Sequence, residues 1–150
     1  KLGKNNFEIH IIGRGYDGLP HDLKKLLDRP SIRIRGFVES IDDDFLSADA
    51  LLVPTPIKLG FRVRIVTGFA YGVTVVTHAA NSINITEMIH EQNSLIGESG
   101  EDLANALIRI IKDKALQRKF ENASRELFEK FFNAPVAVKQ ILRLFSHKFI

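Results

Sequence analysis

Short apolar runs rich in β-branched residues alternate along the chain with segments whose apolar residues recur at helical spacing. The apolar runs predict strands near 7–12, 32–38, 50–53, 73–77 and 94–97. Strands that alternate with helices pair in parallel through right-handed crossovers. The pattern therefore predicts an α/β fold, a Rossmann-like parallel sheet of about five or six strands with helices on both faces.

Three amphipathic helices are predicted after the last strand, because apolar residues recur there every three or four positions. Ser99 and Asp102 have the spacing of a capping pair at the start of the first of them. A further short helix is predicted over Leu23–Leu27, with Asp22 as its N-cap. The apolar stripes of the three C-terminal helices are Leu103, Ala106, Leu107, Ile110 and Ile111; Leu116, Phe120, Ala123, Leu127 and Phe131; and Val138, Ile141, Leu142, Phe145 and Phe149.

The stretch between the third and fourth predicted strands, Pro54–Thr77, holds the main candidate site. Gly60 lets the backbone there turn sharply or approach a ligand closely. Apolar residues recurring every four positions predict a helix from about Phe61, and Gly72 has the position of a C-terminal cap. Such a helix begins at the carboxyl end of a strand, which is where ligands bind in open parallel α/β sheets.

Two cations, Arg62 and Arg64, fall in the first turn of that helix. The helix dipole favours negative charge at an N-terminus, so cations there oppose it. A bound anion, shared between the N-terminal amides and the two guanidinium groups, removes the conflict. The alternative is that both arginines are solvated surface charge. The anion hypothesis makes these two residues the leading candidate ligands.

A glycine-rich segment, Gly13-Arg-Gly15-Tyr-Asp-Gly18, follows the first predicted strand. Its spacing matches the G-x-G-x-x-G dinucleotide fingerprint, and Glu39 lies where an acidic ribose ligand would be expected. The fingerprint requires a helix that opens on its last glycines, whereas residues 19–22 intervene here. The sequence therefore argues against an NAD site at these glycines.

The composition is that of a globular domain of 150 residues, with 45% hydrophobic and 26% charged residues. Cysteine is absent, which excludes disulfides and thiolate chemistry. Net charge is +3, but nine Lys or Arg stand against four Asp or Glu from 112 to 148. That basic segment predicts contact with an anionic membrane surface or with nucleic acid, or else solvated helix faces. Eleven Phe and no Trp suit a core better than base stacking, so no nucleic-acid partner is expected.

Two runs of the chain match a known family pattern: Gly60-Phe61-Arg62-x-Arg64-Ile65-Val66 and Ala70-Tyr71-Gly72-x-x-Val75-Val76. On these runs, and over roughly residues 7 to 130, the chain resembles the donor-binding half of nucleotide-sugar glycosyltransferases with the GT-B fold. The closest resemblance is to their large retaining group, the glycosyl transferases group 1 family. Two glutamates of that family's usual Glu-x7-Glu motif fall on Leu59 and Thr67, so both are replaced here.

The resemblance implies a site for a nucleotide-diphosphate sugar of the UDP or GDP type, with no other cofactor and no metal. Arg62 and Arg64 would hold the diphosphate. The amides around Gly60 and Phe61 would meet the sugar hydroxyls or the β-phosphate. Thr67 stands at the position that holds the ribose diol, which its hydroxyl could reach only through water.

Further positions follow from the same resemblance. Gly13 and Gly15 would form the loop on the phosphate side. Phe37 and Val38 would lie beside the nucleotide base, although a core position for the Phe37 side chain is equally open. His78, at a strand's carboxyl end, is either a substrate contact or a structural loop residue.

A second matching segment follows the fourth predicted strand. Glu87 and Asn93 take the places of a glutamate and an asparagine in the family pattern. We expect Glu87 to bond loop amides rather than to act in catalysis.

The implied function is transfer of a sugar from a nucleotide-diphosphate sugar to an acceptor, as in polysaccharide biosynthesis. The 150 residues are expected to be a single nucleotide-sugar-binding domain, 1–150, whose partner is an acceptor-binding N-terminal domain of the full enzyme. Alone, they are expected to be inactive. A catalytically silent nucleotide-sugar-binding or scaffold module is the alternative, and a basic interaction domain is a third. The expected location is the cytoplasm, at the inner face of the membrane.

Overall fold

The computed structural model describes residues 7–58 and 60–146, with side chains to residue 143. The chain divides into two compact units, Lys1–Asp43 and Asp44–Ile150. Within the described residues, no helix is long and apolar enough to cross a membrane.

The first unit is built on two parallel strands, β1 (Ile9–Ile12) and β2 (Ile32–Gly36). Half-buried and exposed positions alternate along both strands, as expected for strands with one covered face. A short helix, α1 (His21–Leu27), lies between them in sequence and follows a single 3-10 turn, Tyr16–Gly18. The next helix, α2 (Asp42–Ser47), spans the boundary between the units.

The second unit holds a parallel three-stranded sheet in the order β3 (Ala50–Val53), β4 (Thr74–His78) and β5 (Leu95–Gly97). Helix α3 (Val63–Tyr71) connects β3 to β4. Three helices follow β5. They are α4 (Gly100–Lys112), α5 (Lys114–Phe131) and α6 (Ala134–Ser146).

The central strand β4 is buried on both faces. Val75 packs into a cluster with Phe69 of α3 and Leu127 of α5. The next residue, Val76, points to the opposite face and packs with Ile110 of α4 and Phe120 of α5. Helix α5 therefore contributes to the core on both sides of the sheet, which explains why the strand reads as a continuous apolar run.

The predicted α/β class and the parallel pairing are confirmed, and all five predicted strands form within one or two residues of their expected bounds. They form two hydrogen-bonded sheets, of two and three strands, where the sequence predicted one. Among the described residues, β1 pairs only with β2, and β3 pairs only with β4.

Two local predictions are corrected. Helix α3 begins at Val63 and not at Phe61, so Arg62 is its N-cap. Helix α1 begins at His21 after Pro20, which places Asp22 inside the first turn, where its charge still suits the dipole. On α6, the stripe residues Val138, Ile141 and Leu142 are each more than half exposed. Phe145 and Phe149 of that stripe lie outside the described side chains.

Candidate functional site

The candidate site lies in the second unit at the carboxyl ends of β3 and β4. After β3 the chain runs through a loop to the N-terminus of α3. After β4 it enters a single 3-10 turn, Ala79–Asn81. Both segments leave the same edge of the parallel sheet, where ligands bind in open α/β folds.

The segments that follow β3 and β4 carry positive charge and, up to Thr86, no carboxylate. Helix α3 has no acidic residue in its first turn. From Ala50 to Thr86 the sequence contains Lys58, Arg62 and Arg64 but no Asp or Glu. The start of α3 therefore lacks the acidic side chain that commonly offsets a helix dipole.

The two arginines are held differently. Arg62 is half-buried; its Nε donates to Asn81 Oδ1 at 2.9 Å and its Nη2 donates to Ile57 O at 3.3 Å. The Nη1 group of Arg62 has no partner among the described residues. Arg64 is exposed and forms no hydrogen bond or ion pair within the described part of the chain. The site thus contains one restrained cation and one unrestrained cation.

Asn81 is the polar residue that the sequence did not single out. It is only 2% exposed. Its Oδ1 accepts from Arg62, and its Nδ2 donates to the ends of both strands. The acceptors of Nδ2 are Thr55 O at 3.0 Å, Thr77 Oγ1 at 3.2 Å, His78 O at 3.2 Å and Val53 O at 3.3 Å.

Gly60 and Phe61 lie on the open side of the loop. Gly60 has no positive φ, and a Cβ added there would meet nothing within 4 Å. The backbone therefore does not require glycine for a sharp turn, and space for close approach of a ligand is present. The Phe61 ring is 52% exposed and lies 6.4 Å from the ring of Phe132 at the end of α5.

Thr67 lies one turn into α3, and its hydroxyl donates to the carbonyl of Val63 at 3.1 Å. This bond to the residue four positions earlier is the usual one for threonine within a helix. The Thr67 hydroxyl proton is therefore used in a hydrogen bond within the helix, and the hydroxyl oxygen can only accept a hydrogen bond from a ligand.

His78, the last residue of β4, uses both ring nitrogens within the fold. Nδ1 accepts from the amide of Ala80 at 3.1 Å, and Nε2 lies 3.0 Å from Glu98 O. Because a carbonyl can only accept, Nε2 carries the proton in this arrangement. The imidazole therefore connects the turn after β4 to the residue after β5, which is the structural alternative considered for it.

The remaining predicted donor residues lie in the first unit. Gly13 and Gly15 have φ values of 129° and 110°, which side chains rarely adopt. The helix that an NAD fingerprint requires does not open on these glycines, since a 3-10 turn and Pro20 precede α1. Phe37 is 65% exposed, so the core alternative for its side chain is wrong.

Phe37 has a cation above its ring instead of a packed neighbour: the Arg14 guanidinium lies 4.6 Å from the ring centroid. Val38 is half-buried and follows it at the carboxyl end of β2. Phe37 and Val38 belong to the first unit and Arg62 to the second, and their proximity stays a prediction.

In the segment that matched the second family pattern, Asn93 makes the hydrogen bonds that hold the loop together. Asn93 Oδ1 accepts from the amide of Ile89 at 2.8 Å, and its Nδ2 donates to Glu87 O at 2.9 Å. The Glu87 carboxylate forms no hydrogen bond within the described residues. Asn93 therefore makes the loop contacts that the sequence had assigned to Glu87.

Three carboxyl groups of the second unit have a pKa below its ordinary value. Hydrogen bonding from Arg109 lowers the pKa of Glu91, and hydrogen bonding from Lys114 lowers that of Asp49. The Ser99 hydroxyl and two backbone amides lower the pKa of Asp102 in the capping box of α4. Within the described residues, no group of three or more His, Asp or Glu side chains could hold a metal ion.

Solved structures with the same fold include a glycosyltransferase. The chain is similar to HepE of Anabaena in complex with UDP, with a TM-score of 0.83 and 18% identity over 94% of this chain. It is also similar to a glycosyltransferase from Rickettsia africae, with a TM-score of 0.77 and 14% identity over 94% of this chain. The similarity to TarM has a TM-score of 0.74 and 15% identity over 92% of this chain. The chain spans 41%, 40% and 28% of these three proteins. The fold is therefore that of GT-B glycosyltransferases.

The sequence identifies the family. The family model for glycosyl transferases group 1 matches residues 1–113, and this chain belongs to that family. No curated protein sequence matches the chain significantly.

Proposed function

We propose that this chain is the donor-binding domain of a glycosyltransferase that takes a sugar from a nucleotide-diphosphate sugar of the UDP or GDP type. The observation that carries the proposal is the N-terminus of α3, where Arg62 and Arg64 stand in a segment, residues 50–86, that contains no Asp or Glu. Membership of the group 1 family supports it. The complexes of HepE with UDP and with UDP-glucose support a nucleotide sugar as the ligand.

The chemistry of glycosyl transfer explains why cations belong at this edge. When the bond between the sugar and the diphosphate breaks, negative charge develops on the departing phosphate oxygens. Guanidinium groups and helix N-terminal amides that are already in place stabilise that charge more than they stabilise the bound donor. Arg62 and Arg64 would supply the cations, and the amides around Gly60 and Phe61 would supply the neutral donors.

The nucleoside would be held less firmly than the diphosphate. Thr67 can only accept hydrogen bonds from a ribose, because its own proton goes to Val63 O. In the first unit, the exposed Phe37 ring, with Arg14 above it, offers a surface for the base, and the loop at Gly13 and Gly15 would lie on the phosphate side.

A catalytically silent nucleotide-sugar-binding module is the second candidate. It is favoured by the replacement of both motif glutamates at Leu59 and Thr67. Either way, we expect no sugar transfer by these residues alone, because the acceptor would bind to a domain of the full enzyme that they do not include. We place that enzyme in the cytoplasm, in contact with the inner face of a membrane.

Calorimetric titration of the purified chain with UDP, GDP and ADP tests the proposal, and uridine and guanosine are the controls. We expect at least one nucleoside diphosphate to bind, with a Kd in the micromolar range, about −8 kcal/mol at 1 µM. The matching free nucleoside should bind much more weakly, because it lacks the charge that the arginines recognise. Failure of all three diphosphates to bind would contradict the proposal.

A further inference from the structure

The orientation of the Asn81 amide is fixed by its neighbours. Three of the acceptors around Nδ2 are backbone carbonyls, which cannot donate, so the NH2 group must face them. The oxygen consequently faces the Nε–H of Arg62, which cannot accept. A reversed amide would lose all of these bonds at a site that is 2% exposed. The side chain therefore has one stable position.

That position fixes part of the Arg62 guanidinium. Nε is bound to Asn81, and Nη2 is bound to Ile57 O in the loop after β3. The Nη1 edge keeps its hydrogens for a ligand. A long side chain normally loses rotamer freedom when it binds an anion, and a side chain that is already held loses less.

We infer that Asn81 is a positioning residue for anion binding: it holds Arg62 with its Nη1 edge presented at the start of α3. The inference rests on the proposed function, because Arg62 must be an anion ligand for its position to matter. Arg64 provides the internal contrast, since it has no partner within the described residues and should owe nothing to Asn81.

A double-mutant cycle on UDP affinity, measured by calorimetry, separates positioning from general damage. Asn81→Ala should weaken UDP binding about three- to tenfold through the lost restraint on Arg62. In an Arg62→Ala background the same change should cause no further loss. In an Arg64→Ala background it should cause the full loss. Equal losses in all three backgrounds would show that Asn81 only supports the fold, and would overturn the inference.

Thr77→Val is the matched structural control. Thr77 is fully buried, accepts from Asn81 Nδ2 and donates to Val53 O at 3.1 Å. Its replacement should lower the Tm while Asn81 keeps its bond to Arg62, so UDP affinity should stay within about twofold of the parent. A loss of affinity equal to that of Asn81→Ala would contradict a positioning role.

A second measurement needs no Asn81 variant and no ligand. In 15N-resolved NMR spectra of the parent, the Arg62 Nε–H should give a resonance protected from exchange with water, whereas that of Arg64 should exchange rapidly. Equal exchange of both would overturn the inference and leave the proposed function intact.

Absence of diphosphate binding by the parent would overturn both the inference and the proposed function. Loss of affinity in Arg62→Ala, combined with an unchanged affinity in a folded Asn81→Ala, would overturn the inference alone.

Discussion

Arg62 and Arg64 stand two positions apart, yet only one of them belongs to the hydrogen-bonding network of the fold. Arg62 satisfies the buried oxygen of Asn81 at 2.9 Å, whereas Arg64 projects from α3 without a partner in the described chain. From the sequence alone, alanine at either position is expected to leave stability nearly unchanged. The contact with Asn81 changes that expectation for Arg62.

Arg62→Ala should lower the free energy of unfolding by about 1–3 kcal/mol, because the buried Asn81 oxygen loses its donor. Arg64→Ala should leave it unchanged or raise it slightly, since a cation leaves a helix N-terminus. Urea unfolding of the two variants and the parent measures both effects. Equal stabilities in the two variants would show that the bond to Asn81 contributes nothing.

Gly60 and Gly97 differ in the space around their Cα atoms, so substitutions there separate an effect on ligand approach from an effect on core packing. A Cβ at Gly60 meets nothing within 4 Å, whereas one at Gly97 would lie 2.6 Å from Asp102 Cβ. Gly60→Ala should keep the parent Tm but weaken UDP binding about tenfold, because the methyl group would stand where the ligand approaches the backbone. Gly97→Ala should lower stability by about 1–3 kcal/mol through overpacking. An unchanged UDP affinity in Gly60→Ala would show that the ligand does not approach this loop.

At the scale of elements, a bidentate ion pair binds the loop between the 3-10 turn Ala79–Asn81 and β5 to helix α4. The Arg109 Nη1 and Nη2 groups donate to the Glu91 carboxylate at 2.5 and 3.0 Å. Glu91 has a φ of 62°, an uncommon conformation for a non-glycine residue. His90 lies beside it, with Nε2 at 3.6 Å from Glu91 Oε1. The ion pair therefore stabilises a turn that its own backbone does not favour.

This ion pair predicts a pH dependence of stability. Because Arg109 lowers the pKa of Glu91 below its ordinary value of 4.5, the contribution is fully present above that pH. It is lost as the pH falls through the lower value of the folded state. The Tm difference between the parent and Glu91→Gln should accordingly shrink from pH 7 to about pH 3. Glu126→Gln, at an exposed position on α5, is the control for loss of a carboxylate, and an equal pH trend in both variants would refute the prediction.

Elements with local signals could be predicted from the sequence. Gly72 caps α3 with a φ of 68°, and Ser99 with Asp102 forms a complete capping box on α4. Both signals lie within a few residues of the helix end that they define. Asn81 could not be found in this way, because its contact with Arg62 joins residues 19 positions apart. Its only sequence signal is an amide side chain just after a buried strand.

At the scale of the whole molecule, helix α6 presents an apolar stripe to solvent. Val138, Ile141 and Leu142 are exposed on one side of the helix, next to Lys139 and Arg143, and the helix contains no acidic residue. An isolated helix of this length is marginally stable in water, so burial of its apolar stripe would stabilise it. Because the neighbouring side chains are basic, an anionic surface is the favoured partner. This is the feature on which the proposed membrane contact depends.

Sedimentation with phosphatidylglycerol vesicles tests that contact. Leu142→Asp should lower the partition coefficient at least tenfold, since burial of a leucine side chain is worth about 1.5–3 kcal/mol. Gln140→Asp makes the same charge change on the opposite side of α6 and should lose far less. Absence of the parent from the pellet, or equal losses in both variants, would exclude insertion of this stripe. Self-association of the parent in sedimentation equilibrium would point to a second copy as the covering surface.

The account as a whole depends on the recognition of a diphosphate by the start of α3. The most direct test compares UDP and uridine on the parent and on the Arg62→Ala, Arg64→Ala double variant, by calorimetry. Each charge-assisted contact is worth about 1.5–3 kcal/mol, so the double variant should bind UDP at least a hundredfold more weakly than the parent. Uridine should bind both proteins equally. Equal UDP affinity in the folded double variant and the parent would contradict the central claim.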